Sequence, residues 1–138
     1  MIRAVIDTNV LVSAILSRRG ASYRLLRTLG EGGWELQYST TLLLEYEALL
    51  TRQADRIGLP RGVIDAILDR ICAAGRENSI FFRWRPTLSD PNDDFLLELA
   101  ISCQCEYVVT FNRRHLGLAE SYGMRVVTPR EFLAIIEM

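Results

Sequence analysis

The chain has 138 residues, 49% of them hydrophobic, a formal net charge of −1 and a pI near 5.9. That length suits one domain, residues 1–138, with a real core. The near-neutral charge argues against a generally basic nucleic-acid coat and leaves room for a local Arg patch. All 16 Lys or Arg positions are Arg, so Schiff-base lysine chemistry and a P-loop lysine are both excluded. Cys72, Cys103 and Cys105 form an odd count without zinc-type spacing. They read as reduced thiols, and a cytoplasmic location is expected. Cys103-x-Cys105 has no second pair to complete a four-ligand site, and the chain has one His. No signal peptide or bilayer-length apolar run is visible, so no membrane association is expected.

Strand and helix patterns alternate along the chain. Residues 2–6 predict a buried strand. Residues 9–16 and 21–30 predict helices, broken near Arg18-Arg19-Gly20. After the Gly32-Gly33 turn, Trp34 to Tyr38 reads as a second strand. Ser39 or Thr40 can cap a helix running to about Arg52. Gly58-Leu59-Pro60 marks a break. Val63, Ile64, Ile67, Leu68, Ile71 and Cys72 then repeat at amphipathic-helix spacing. Ser79 to Phe82 predicts a short strand, Pro86 to Pro91 a loop and Asn92 to Gln104 a helix. A strand over 107–110, a short turn or helix, a strand over 125–128 and a helix from Pro129 to Glu137 complete the pattern. Strands separated by helices imply right-handed crossovers and a parallel sheet covered on both faces.

Against this frame the acids stand out. Asp7 ends the first apolar run, and Asn112 follows the run Tyr107-Val108-Val109-Thr110. In open parallel sheets the ligand site lies beyond the carboxyl ends of the strands. Carboxylates gathered there repel one another, and a divalent cation is the ordinary remedy. At about 100° per residue, Glu45 lies within about 60° of Leu42, Ala48 and Leu49, and Glu47 lies roughly opposite. An acid on the apolar side of a helix needs a reason, because burying an unpartnered carboxylate is costly. On the later helix, Asp93 falls near the middle of the stripe Leu96, Leu97, Ala100, Ile101 and Cys103. Asp94 and Glu98 sit at or beyond its edge. Each position also has a bland explanation. Asp7 could be a turn and N-cap, Glu45 an Arg salt bridge, Asp93 a helix cap and Asn112 a turn residue.

The motifs together resemble the PIN-domain nucleases, most closely small bacterial toxin components of toxin–antitoxin systems, the VapC-like ribonucleases. The resemblance rests on Val5-Ile6-Asp7-Thr8-Asn9-Val10-Leu11-Val12-Ser13-Ala14, on Ser39-Thr40 and on Leu44-Glu45-Tyr46. It continues through Asp90-Pro91-Asn92-Asp93-Asp94-Phe95-Leu96-Leu97-Glu98-Leu99-Ala100 and Val109-Thr110-Phe111-Asn112-Arg113-Arg114-His115-Leu116. It implies a three-layer α/β/α fold with a parallel sheet of four or five strands. It also implies Mg²⁺- or Mn²⁺-dependent RNA cleavage, with Asp7, Glu45 and Asp93 as catalytic metal ligands. Asn112 matches a fourth catalytic position, where many members carry Asp; an amide is a poorer Mg²⁺ ligand.

The residue types suit that chemistry independently. Hard cations held by carboxylates can activate water and neutralise charge on a phosphodiester. Arg113 and Arg114 are candidates for RNA phosphate contacts. The cluster Arg83-Trp84-Arg85 could stack a base or be a strand end with a buried Trp. His115 reads as a surface or phosphate-contacting residue. A small antitoxin protein is the expected partner. A homodimer or an antitoxin groove is expected to use the apolar stripe Val63 to Ile71 and the face of the Leu42 to Leu50 helix. Two other readings compete. One is a catalytically weak or inactive PIN-like module that binds RNA or protein. The other is a phosphoacceptor receiver-like domain, which the lack of Lys disfavours.

Overall fold

The computed structural model describes residues 1–79, 91–112 and 119–137, without the side chains of residues 91–94. In chain order the elements are β1 (Ile2–Ile6), α1 (Thr8–Leu16), α2 (Ala21–Arg27), β2 (Trp34–Tyr38), α3 (Thr40–Ile57) and α4 (Arg61–Ala74). They continue with β3 (Arg76–Glu77), α5 (Pro91–Ser102), β4 (Tyr107–Val109), β5 (Arg125–Val127) and α6 (Pro129–Ile136). Among the described residues the sheet has five strands in the order β3-β2-β1-β4-β5. Every pairing is parallel, with Ile2 opposite Trp34, Ala4 opposite Tyr107, Tyr107 opposite Arg125 and Gln37 opposite Arg76. The expected α/β architecture with a parallel sheet is therefore present.

β1 is central, and after the exposed Arg3 its end is apolar at every position because both faces are covered there. Ala4, Val5 and Ile6 are fully buried, as are Val108 and Val109 on β4. The steps from β1 to β2 to β3 run one way along the sheet, and the step from β3 to β4 runs the other. Right-handed connections then set α1–α4 and α5 on opposite faces. α6 returns beside α2, where Phe132 meets Trp34 edge-to-face at 5.2 Å and Tyr107 at 5.4 Å. A reciprocal capping box starts α6: Thr128 Oγ1 accepts from the Glu131 amide, and Glu131 Oε1 accepts from the Thr128 amide.

Several boundaries differ from the pattern in the sequence. α2 stops at Arg27 rather than residue 30. The Thr28 hydroxyl donates to the Leu25 carbonyl at 2.7 Å, and Gly30 takes a positive φ of 84°. α3 runs to Ile57, past Arg52, because Leu50 and Ala54 continue its buried stripe through a polar stretch. Its stop is Gly58, left-handed at φ 72°, whose amide donates to the Ala54 carbonyl. The strand expected over Ser79 to Phe82 is not at Ser79, and residues 80–82 lie outside the described residues. β2 instead pairs with Arg76–Glu77, and the Asn78 amide extends this edge to the Tyr38 carbonyl at 2.8 Å. Two exposed charged residues carry no alternating pattern, so only the pairing reveals the strand. The loop expected from Pro86 to Pro91 lies outside the described residues up to Asp90; Pro91 begins α5.

The α4 stripe is only partly absorbed by the core. Ile64 and Ile71 are fully buried, whereas Val63, Ile67 and Leu68 are half-buried. At its end, Gly75 sits where the backbone comes close to β2. A Cβ there would lie 2.8 Å from the Ile71 carbonyl oxygen and 3.1 Å from that of Leu36. Gly75→Ala should therefore cost about 1–3 kcal/mol. Gly62, in the first turn of α4, has nothing within 4 Å of its would-be Cβ. Gly62→Ala should add about 0.5 kcal/mol through helix propensity. Urea midpoints for both variants check the pair, and a Gly75→Ala protein as stable as the parent contradicts this packing.

Candidate functional site

The strand order reverses between β1 and β4, since β2 and β3 lie to one side of β1 and β4 and β5 to the other. The crevice beyond the carboxyl ends at such a reversal is where open parallel sheets bind ligands. Asp7 and Thr110 follow the two strands that meet there. The Asp7 amide donates to the Val109 carbonyl at 2.9 Å, and the Thr110 amide donates to the Val127 carbonyl at 2.9 Å. Both residues thus continue the ladder and are placed by it.

Asp7 occupies the N-cap position of α1 with extended backbone, φ −69° and ψ 148°, yet its side chain makes no capping hydrogen bond. The carboxylate turns across the sheet instead. Its Oδ2 accepts from the Thr110 hydroxyl at 2.7 Å. Thr110 is fully buried, and its oxygen also accepts from Asn9 Nδ2 at 3.4 Å and from the Asn112 amide at 2.9 Å. One donor and two acceptor sites exhaust a hydroxyl's capacity. The Asp7 carboxylate is therefore held by a saturated group in the core, at the positive end of α1.

Glu45 comes from α3. Its Oε2 accepts from the Thr8 hydroxyl at 3.0 Å, and Thr8 is itself buried at the first position of α1. The next residue, Tyr46, is wholly buried, and its hydroxyl donates to the Ile6 carbonyl at the end of β1. Burial, and then the negative charges of Asp7 and Glu45, hold this phenol well above the usual tyrosine range. One buried phenol thus feels both carboxylates. The stripe of α3 is Leu42, Tyr46, Leu50 and Ala54. Glu45 flanks that stripe and is half-buried, whereas Ala48, expected on the apolar side, is exposed. Glu47 is exposed, as expected, at 4.0 Å from Arg61.

Residues 3–114 match the PIN domain family. The chain belongs to the PIN domain family. A comparison with curated proteins gives no match. PIN domains are generally metal-dependent nucleases, and membership points to a nuclease-like module. The matched span carries Asp7, Glu45, Asp93 and Asn112, and it ends before β5 and α6.

Not every expected site residue can be placed in this PIN domain. Asp93 and Asp94 lie in the first turn of α5, and their side chains lie outside the described residues. So do Arg113, Arg114, His115 and the Arg83-Trp84-Arg85 cluster. Asn112 is exposed and reaches the centre through its backbone amide, bonded to Thr110. Among the described residues no three His, Cys, Asp or Glu side chains lie close enough to hold a metal ion. The donor chemistry nevertheless suits a hard cation, since Mg²⁺ is held by one or two carboxylates and keeps several waters. Asp7 and Glu45 are two such groups, each oriented by a threonine hydroxyl. Thr8, Asn9, Tyr46 and Thr110 were missed as functional positions. The available signal was the hydroxyl residue standing directly after Asp7 and at the end of the Tyr107–Thr110 run.

Tyr46→Phe removes the donor to a buried carbonyl and should cost about 1–3 kcal/mol at neutral pH. Because the folded phenol titrates above its unfolded value of 10.0, its contribution is complete below that pH and is lost as pH rises through it. Melting temperatures between neutral pH and the alkaline limit should therefore fall more steeply for the parent than for Tyr46→Phe. Parallel curves would contradict the buried, protonated role of this phenol.

Proposed function

We propose that the protein is a divalent-metal-dependent endoribonuclease that hydrolyses RNA phosphodiesters. Asp7, Glu45 and Asp93 are the proposed ligands of Mg²⁺ or Mn²⁺. The observation that carries this reading is the Asp7 carboxylate, without a capping bond to its own helix and held by Thr110, with Glu45 acting on the same buried Tyr46 phenol. When bound, such an ion polarises the phosphoryl oxygens and lowers the pKa of a nearby water. The chain's own residues do the rest. The Thr8 and Thr110 hydroxyls donate to the carboxylates and fix their direction. Tyr46 stays protonated and so adds no third negative charge. Asn112 is neutral, which lowers the charge facing an incoming phosphate. Arg113 and Arg114 are the proposed phosphate contacts.

The proposed biological role is the toxin of a toxin–antitoxin pair acting in the cytoplasm. Among the described residues no helix is long and apolar enough to cross a membrane. The proposed antitoxin site is a cleft of about 750 Å³ between α1, α2 and α4, where Leu26, Leu59, Val63 and Ile67 form apolar walls and Arg18 and Arg27 stand alongside. That lining suits an apolar segment flanked by acids; a second copy of this chain is the competing occupant. The alternative reading, an inactive RNA- or protein-binding module, draws on the neutral Asn112.

The test is Mn²⁺-dependent cleavage of a mixed RNA substrate. Asp7→Asn keeps an acceptor for Thr110 and removes one ligand charge. Activity should fall on the order of a hundredfold or more, with unchanged or higher thermal stability because repulsion is relieved. Glu47→Gln, on the exposed side of α3, should cleave like the parent. Equal cleavage by the parent and Asp7→Asn would contradict the mechanism.

A further inference from the structure

A pair of carboxylates is a poor landing place for a polyanion. The whole chain carries a net charge of −1, so long-range attraction for phosphates is weak. A contact that does not depend on net charge would add to the proposed Arg113 and Arg114 phosphate contacts at the Asp7–Glu45 rim. Phe111 is the side chain placed to make it.

Phe111 follows Thr110 directly and is 49% exposed. The described backbone at Phe111 and Asn112 is tied to the site by hydrogen bonds. The Asn112 amide donates to the Thr110 hydroxyl oxygen at 2.9 Å, and the same hydroxyl donates to Asp7 at 2.7 Å. The Phe111 amide makes a long contact of 3.5 Å to Asn9 Oδ1. Leaving half of a phenylalanine in water forfeits hydrophobic stabilisation. Single exposed apolar side chains are common. Phe111 differs in being fixed one residue from the group that orients Asp7. An aromatic face accepts any base, and stacking does not depend on net charge.

We propose that Phe111 is a nucleobase platform, stacking the base of a nucleotide next to the scissile phosphate of single-stranded RNA. The choice of ligand rests on the ribonuclease reading. Bases paired within a duplex are already stacked, so the platform selects single strands. It tolerates different bases and contributes affinity that salt does not screen.

The test is fluorescence anisotropy of a labelled single-stranded RNA oligonucleotide with the full chain, without divalent ions, over a range of salt concentrations. Phe111→Ala should weaken binding roughly tenfold at every salt concentration, and Phe111→Trp should bind at least as tightly as the parent. Tyr122, 51% exposed just before β5 at the opposite rim of the sheet, is the control, and Tyr122→Ala should bind like the parent. The same sequence as a duplex should bind more weakly than the single strand. Melting temperatures establish that each variant is folded. Parent-like binding by Phe111→Ala, equal losses in Phe111→Ala and Tyr122→Ala, or no binding by the parent would each overturn the proposal. Phe111-dependent binding by a protein that cleaves no RNA supports the platform while removing the hydrolytic reading.

Discussion

The hydrogen bond from the Thr110 hydroxyl to the Asp7 carboxylate is the contact on which the rest of the site depends. It joins the ends of β1 and β4, the two strands between which the sheet reverses its order. Without it, Asp7 could swing back to cap α1, as an aspartate at that position ordinarily does. With it, the carboxylate is committed to the crevice. A buried hydroxyl that donates to Asp7 and accepts from Asn9 and Asn112 cannot rotate without leaving a polar group unpaired. The orientation of one anion is thus fixed by the burial of its neighbour.

A second lock acts from the helical side. Tyr46 packs in the core and ties α3 to the last carbonyl of β1, and that places Glu45 opposite Thr8. Two adjacent residues of α1's entry, Asp7 and Thr8, therefore face two different elements, β4 and α3. The cost is two negative charges near one buried phenol. Threonine hydroxyls and the amino end of α1 offset part of it.

Much of this was legible in the residues alone. Residues 2–6 read as a buried strand, which β1 is at Ala4 to Ile6, with Asp7 directly after it. Glu45 and Glu47 were separated correctly by helical phase, although the buried stripe is centred on Tyr46 rather than beside Ala48. The threonines were not legible. A hydroxyl between a strand and a helix looks like a turn residue until the partner strand is known, and the partner of Thr110 is 103 residues away. The edge strand Arg76–Glu77 escaped for a related reason: its identity lies in its pairing with β2, not in its own pattern.

The central claim is that Asp7 and Glu45 together form a site for a divalent cation, and paramagnetic broadening reads that directly. Substoichiometric Mn²⁺ should selectively erase the backbone amide signals of Thr8, Asn9, Glu45, Tyr46 and Thr110, and excess Mg²⁺ should restore them. Amides at the opposite rim, such as Gln104 and Gly123, should keep their intensity. Broadening centred on the surface acids Glu47, Asp65 and Asp69, or spread evenly over the chain, would contradict it.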